Sequence, residues 1–165
     1  MATKTARRAR TAKKPTPIPK KAPRAVKRPA PMARQSAVLR KTIDPGWTWD
    51  DRLPLAQAKQ IGNTIYVSGQ VAYDANGTLV GEGDMRAQTR QVFNNIKAVL
   101  AAAGAGMEDI IKINSYITDA GKFMDMLEVR SEIFGANPPA STAVVVQALA
   151  FPGLLIEVEA IAVKL

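Results

Sequence analysis

Apolar and polar residues alternate along residues 64–72, and this two-residue period predicts a β-strand. The dipeptide Asn76-Gly77 is typical of a hairpin turn, so residues 78–80 are predicted as a short return strand. Residues 54–61 end at Gly62-Asn63, a second turn signal, and are predicted to be extended. The alternation predicts two faces for the strand, one with Ile65, Val67, Gly69 and Val71 and the other with Thr64, Tyr66, Ser68 and Gln70.

The apolar spacing becomes helical after Asp84, which is predicted to cap a helix over residues 85–103. Gly104 is the stop signal for this helix. A second helix is predicted over residues 122–134, because Gly135 and two prolines follow it. The large apolar positions of the first helix are Met85, Val92, Phe93, Ile96, Val99 and Leu100.

Three more strands are predicted, at residues 110–118, 142–149 and 154–163. Residues 142–149 are apolar on both faces, so this strand is predicted to lie in the centre of the sheet or at a subunit interface. The resulting order, β-β-β-α-β-α-β-β, predicts an α+β domain with a six-stranded sheet. Two helices cover only one face of such a sheet.

The uncovered face of the sheet is predicted to mix carboxylates with apolar residues, which suits a subunit interface containing a polar cleft. We therefore expect an oligomer. Glu157 and Glu159 share this face, and two like charges in a cleft raise the pKa of one of them. The alternative is an ordinary solvated face of an antiparallel sheet. The predicted face contains Ser68, Gln70, Asn114, Tyr116, Glu157, Glu159, Ile161 and Val163.

Charge divides the chain into two parts. Residues 1–41 contain fourteen Lys or Arg and no Asp or Glu, whereas residues 42–165 contain nine Lys or Arg and fourteen Asp or Glu. With six prolines and no aromatic residue, residues 1–44 are predicted to be a disordered basic tail, and residues 45–165 the folded domain. Three interpretations of residues 1–42 stay open: a solvated tail, nonspecific contact with nucleic acid or an anionic surface, and a transit peptide.

The chain contains no Cys and no His. This excludes a disulfide, a Ser-His-Asp triad, a Cys nucleophile and a Cys/His zinc site. No run of 18 apolar residues is present, so no membrane span is predicted. We expect a cytoplasmic protein, or an organellar one if the basic segment is a transit peptide.

Three motifs resemble those of the RidA/YjgF family. Residues 62–70, GNTIYVSGQ, resemble its strand signature, which ends in Ser-Gly-Gln. The helix beginning Gln88-Thr89-Arg90-Gln91 and ending Ala103-Gly104 resembles its first helix. Pro139-Ala140 and residues 157–162, EVEAIA, resemble its C-terminal strands. The match covers about 120 residues in the family's order.

The resemblance implies a chorismate-mutase-like α+β fold with a mixed sheet, assembled as a homotrimer with clefts between subunits. It implies hydrolysis of reactive imines or enamines to oxo acids and ammonia, without cofactor or metal. Ser68 and Gly69 resemble the family's cleft-lining pair. Glu157 resembles the glutamate that positions the attacking water, and Tyr116 stands where the family often has a cleft aromatic.

Two positions depart from the family pattern. Ser141 replaces the arginine that grips the substrate carboxylate, and Leu55 replaces a tyrosine. Arginine holds a carboxylate through two charge-assisted hydrogen bonds, whereas serine offers one neutral donor. The sequence therefore predicts an Arg-less member with a non-standard substrate, in which Ser141 and Leu55 line the cleft.

Three functions remain in competition. The first is a deaminase-type hydrolase with Glu157 as general acid and base. The second is a trimer that binds a small metabolite in its clefts without turning it over. The third is a protein that contacts nucleic acid through the basic tail.

Overall fold

Residues 40–50 and 53–165 are described by a computed structural model of the chain. They form six strands and two α-helices, with short 3₁₀ turns at Met107–Asp109 and Ala120–Lys122. The strands are β1 (Arg40–Ile43), β2 (Ala58–Ile61), β3 (Thr64–Val71), β4 (Ile110–Ile117), β5 (Ala140–Val145) and β6 (Ile156–Val163), and the helices are α1 (Met85–Ala102) and α2 (Phe123–Phe134).

The six strands form one mixed sheet in the order β1-β2-β3-β6-β4-β5. All neighbouring pairs are antiparallel except β4 and β5, which are parallel. Helix α1 packs on β3 and β6, and α2 packs against α1. The predicted α+β architecture with a six-stranded mixed sheet and two helices is confirmed.

The hydrophobic core lies between the helices and one face of the sheet. On β6, every second side chain is buried in this core, and the intervening residues are half-buried on the opposite face. Helix α1 begins as predicted, because the Asp84 carboxylate accepts hydrogen bonds from the backbone N–H groups of Arg86 and Ala87 at 2.9 and 3.0 Å. The core-facing residues of β6 are Ile156, Val158, Ala160 and Ala162.

Strand β1 lies within residues 1–44, the segment predicted as a tail. Strand β1 pairs with β2 along its whole length and buries Ile43 in the core. Composition cannot reveal this strand, because a four-residue edge strand needs only one core side chain. Residues 1–39, the rest of the predicted tail, lie outside the described residues.

Two predicted strands differ from the observed ones. Residues 78–80 form no strand, since Leu79 makes only a single bridge to Tyr73 after the turn. Strand β5 lies at an edge of the sheet rather than in its centre, and it ends at Val145. Because β5 is an edge strand, two of its apolar side chains, Val144 and Val145, are exposed on the described chain.

Candidate functional site

A β-bulge in β3 determines which of its residues face the candidate site. Val67 pairs with Ala160 and Gln70 with Val158, so β3 has one more residue than β6 between these pairs. The predicted alternation is therefore wrong beyond Val67. Gln70 is 3% exposed, on the core side, and its amide donates to the Gln57 side chain at 2.8 Å. The bulge leaves Gly69 exposed beside β6.

Glu157 of β6 lies directly over the backbone of Gly69. A Cβ atom added at Gly69 would overlap Oε1 of Glu157 and would lie 2.8 Å from its Cδ. The carboxyl group thus occupies the space that any larger residue at position 69 would fill. This close approach explains a glycine in the middle of a strand, where glycine is otherwise unfavourable.

The two glutamates of β6 have different environments. Glu159 accepts hydrogen bonds from the Asn114 amide at 2.6 Å and from the Tyr116 hydroxyl at 3.2 Å. Within residues 40–50 and 53–165, the half-buried Glu157 carboxyl accepts no hydrogen bond. Burial raises the pKa of Glu157, and the nearby charge of Glu159 raises this pKa further. Glu159 is therefore held in a fixed network, whereas Glu157 remains available to a ligand.

Tyr116 lies opposite Glu157 in the β4–β6 register. Burial raises the pKa of the Tyr116 hydroxyl, with a further contribution from the charge of Glu159, so this group stays protonated as a donor. Beyond these side chains lies a cavity of about 350 Å³ with an aliphatic wall. The cavity is lined by Tyr116, Val146, Ala148, Leu149, Ala150, Glu157 and Glu159.

The aliphatic wall of the cavity was not predicted as part of the site. It comes from the segment after β5, which the sequence pattern assigns to a strand. The only sequence signal for this wall is that residues 142–149 are apolar on both faces, which predicts an interface without identifying a ligand pocket.

The family model described as Endoribonuclease L-PSP matches residues 50–164 of the chain. The chain belongs to this family, the RidA/YjgF family. A RutC family protein of Pyrococcus abyssi is 44% identical over 111 residues, which are 67% of this chain and 87% of that protein.

Two other relatives connect the family to imine chemistry and to a solved fold. A protein of Dermatophagoides farinae named 2-iminobutanoate/2-iminopropanoate deaminase is 36% identical over 110 residues, which are 67% of this chain and 85% of that protein. The crystal structure of RidA from the Antarctic bacterium Psychrobacter sp. PAMC 21119 has 39% identity and a TM-score of 0.63, covering 67% of this chain and 89% of that one.

Ser68, the neighbour of Gly69 in this RidA-family chain, donates hydrogen bonds to backbone carbonyls of the segment before β2. Its hydroxyl donates to the carbonyl of Ala56 at 2.6 Å, and its N–H donates to the carbonyl of Gln57 at 3.0 Å. These bonds fasten the segment before β2 onto β3 at the bulge. In the described chain Ser68 therefore positions the backbone of Gly69.

Within one chain, Ser141 lies far from Glu157. It is two strands away, which is roughly 10 Å, and three residues further along β5, which is again roughly 10 Å. It also pairs with Ile113, whose side chain is buried in the core, so position 141 faces the helix side of the sheet. Ser141 thus shares no cleft with Glu157 of its own chain.

Leu55 also lines a different cavity. Its side chain is 51% exposed and contributes to a cavity of about 220 Å³ near Trp47, which Glu157 does not line. The structure therefore brings together Gly69, Glu157 and Tyr116, with Ser68 beside them. It does not bring Ser141 or Leu55 to this cluster within one chain.

The described residues contain no group of three or more His, Cys, Asp or Glu side chains that could hold a metal ion. In the same residues, no helix combines the length and apolar character needed to cross a membrane.

The raised pKa of Glu157 makes stability depend on pH. A carboxyl with a higher pKa in the folded state binds more protons folded than unfolded, so the free energy of unfolding falls as pH rises from the ordinary pKa, about 4.3, through the folded value. We expect Glu157→Gln to remove this fall. The stability of the variant relative to the unmodified protein should increase as pH rises above the ordinary carboxyl pKa and level off above the folded-state pKa of Glu157.

Urea unfolding at fixed protein concentration measures this difference. Glu82→Gln is the matched control, because Glu82 is an exposed carboxylate outside the cleft. Identical pH dependence of Glu157→Gln and the unmodified protein would show that Glu157 titrates alike in both states.

Proposed function

We propose that this RidA-family protein is a hydrolase that deaminates a reactive imine or enamine metabolite. The observation that carries the proposal is the Glu157 carboxyl, which is half-buried over Gly69 and has no hydrogen-bond partner among the described residues. Its raised pKa keeps a proton donor available closer to neutral pH. The D. farinae relative, named a 2-iminobutanoate/2-iminopropanoate deaminase, supports the same reaction class.

The proposed reaction adds water across the C=N bond. Protonated Glu157 donates its proton to the imine nitrogen, and the resulting carboxylate accepts a proton from the attacking water. A C–O bond forms, and the nitrogen becomes an amine on a tetrahedral carbon. The C–N bond then breaks as Glu157 returns its proton to the nitrogen, and the Glu157 carboxylate accepts the proton of the hydroxyl group, which restores its protonated form. The products are a carbonyl compound and ammonia.

The cavity wall favours a substrate without a carboxylate. Apart from Glu157 and Glu159, its lining consists of Tyr116 and aliphatic residues, with no Lys or Arg. The negative charge of Glu159, and that of Glu157 whenever it is ionised, repels an anionic substrate unless a cation compensates it. A neutral imine or enamine with a small apolar group therefore fits this half of the cleft, in agreement with the serine at position 141.

We also propose that the cleft is completed by other copies of the chain in a homotrimer. The helices cover one face of the sheet, and the opposite face exposes half of the Tyr66 side chain. At the β5 edge, Val144 and Val145 are 44% and 55% exposed. Apolar exposure of this kind on an edge strand suits burial against a second subunit. Ser141 lies on the same strand, so assembly is the route by which position 141 reaches a cleft.

The test is ammonia release from a panel of imines generated in place by an amino-acid or amine oxidase. The panel contains both carboxylated imines and neutral imines. We expect the protein to accelerate hydrolysis of at least one neutral imine above the spontaneous rate. Saturable binding of these compounds or of their products, with no acceleration anywhere in the panel, would favour the metabolite-binding trimer instead.

A second candidate function is nucleic-acid contact through the basic tail. The observation favouring it is the fourteen Lys or Arg in residues 1–41, with no acid among them. Such cations displace counterions from phosphates without reading sequence. Two of these cations lie on the folded domain, since Arg40 and Lys41 of β1 are exposed at the edge of the sheet near Lys59.

We expect any such binding to be steeply salt-dependent. If roughly five to eight tail cations meet phosphates, log K should fall against log salt concentration with a slope of about −4 to −7. Fluorescence anisotropy with a labelled oligonucleotide measures this slope. The control lacks residues 1–35, because removal through residue 42 would delete most of β1. Undiminished binding by the shortened chain, or a flat salt response, would contradict a tail-borne interaction.

A further inference from the structure

Within the part of the chain that the structure describes, Arg130 on α2 has no carboxylate partner of the kind that accompanies the arginines of α1. Arg86 and Arg90 reach across the helix pair to acidic residues on one side of α2. Arg130 is two residues from both Glu128 and Glu132, and residues two apart on a helix do not face each other, so Arg130 lies on another side of α2. Among the described residues, no Asp or Glu pairs with Arg130. The acids that pair with the α1 arginines are Asp125, Glu128 and Glu132.

The Arg130 guanidinium is partly buried without compensation. Its Nε atom is enclosed and has no hydrogen-bond partner in residues 40–50 and 53–165. Burial lowers the pKa of Arg130, whereas hydrogen bonds to carboxylates raise the pKa values of Arg86 and Arg90. Outside the described residues, residues 1–39 contain no Asp or Glu, and residues 51–52 contain one, Asp51. A buried cation is costly unless an anion pairs with it.

A cavity of about 210 Å³ lies beside this guanidinium. Leu127 and Phe134 are three residues before and four residues after Arg130, so all three lie on one face of the helix. The cavity therefore combines one cation, one hydroxyl from Ser131 and apolar walls. Its lining residues are Leu127, Arg130, Ser131, Phe134, Gly135 and Pro138.

We propose that this cavity is a binding site for a small apolar monocarboxylate. The planar guanidinium can donate two hydrogen bonds to the two oxygens of a carboxylate. A bound carboxylate would therefore supply the acceptor that Arg130 lacks among the described residues. The apolar part of the ligand packs against Leu127 and Phe134. A phosphate dianion is matched poorly, because Arg130 is the only cation among the lining residues.

The proposed site is separate from the Glu157 cleft. It is built by α2 and the loop that leads to β5, whereas Glu157 lies on the sheet face away from the core. Binding at Arg130 therefore does not depend on the proposed deaminase activity, and the two proposals can fail independently.

The test is an NMR titration of the full-length protein with benzoate and with benzamide, its neutral isostere. We expect benzoate to bind with Kd on the order of millimolar, with shifts at Leu127 and Phe134. Benzamide should bind at least about tenfold more weakly. Arg130→Met, which keeps the apolar stem, should weaken benzoate by about tenfold or more, whereas Arg90→Met should change it less than about twofold.

Three outcomes would overturn the proposal. One is equal affinity of the unmodified protein for benzoate and benzamide, which needs no variant. Another is benzoate binding that Arg130→Met leaves unchanged. The third applies if Arg130→Met fails to fold. Arg130→Lys, which retains the charge without the planar guanidinium, should then weaken benzoate binding measurably. Full affinity of Arg130→Lys for benzoate would show that the guanidinium does not bind the ligand.

Discussion

The double substitution Leu55→Tyr and Ser141→Arg should raise kcat/KM for 2-imino acids, the carboxylated imines derived from small amino acids. An arginine at position 141 supplies two charge-assisted hydrogen bonds, worth about 1.5–3 kcal/mol each. Full formation of this clamp corresponds to a rate increase on the order of 10²–10⁴. The realised increase should be smaller, because a grafted arginine lacks the packing that holds it in place.

The structure adds a condition to this expectation. Position 141 lies on the β5 edge and faces away from Glu157 of its own chain, so the clamp depends on the proposed trimer, in which it would act across a subunit boundary. Sizing of the variant therefore accompanies the coupled assay. Leu55→Tyr with Ser141→Lys is the matched control, because lysine restores the charge without the bidentate fork.

Two results would count against this part of the account. If the unmodified protein hydrolyses 2-imino acids as fast as Arg-bearing relatives, another group holds the carboxylate. If the double variant folds and assembles but gains no activity, the cleft is built for a different ligand, and the metabolite-binding trimer becomes the better interpretation.

Gly69→Ala should reduce imine hydrolysis by on the order of 10²-fold while the fold is retained. The added Cβ would overlap Oε1 of Glu157 and lie 2.8 Å from Cδ, so the carboxyl must move away from the β3 backbone. Displacement of a catalytic group by about 1 Å is enough for a loss of this size. The measurements are kcat/KM for the best imine of the panel and the melting temperature.

Gly121→Ala is the matched control, because it adds the same methyl group within 3.2 Å of a flexible carboxylate, Asp119, away from the cleft. It should change the activity by less than about twofold. Full activity in Gly69→Ala would mean that the position of Glu157 over Gly69 is irrelevant to catalysis.

The sequence predicts the fold well where periodicity is long. Helix α1 and strand β6 have enough repeats for their buried faces to be assigned correctly, since Ile96 and Val158 are fully buried as expected. Short elements are less predictable. Strand β1 contributes one core residue, Ile43, and a predicted return strand after Asn76-Gly77 is reduced to one bridge. Both depend on tertiary pairing rather than on local pattern.

The candidate site is predictable only in part for a related reason. A strict two-residue period places Gly69 on the core face and Gln70 on the open face, and the bulge reverses both positions. A single inserted residue leaves no mark in the alternation before it. The family motif nevertheless includes both Gly69 and Glu157, whose close approach depends on tertiary structure and cannot be shown by periodicity. Within one chain, position 141 lies far from Glu157.

Glu157 is proposed to transfer the protons during water addition to C=N. This role is tested most directly by kcat/KM for imine hydrolysis in the unmodified protein, in Glu157→Gln and in Glu159→Gln. We predict a loss on the order of 10²–10⁴ for Glu157→Gln. The loss for Glu159→Gln should be less than about tenfold, because glutamine can still accept from Asn114 and Tyr116. Equal losses in both variants, or an active Glu157→Gln, would contradict the account.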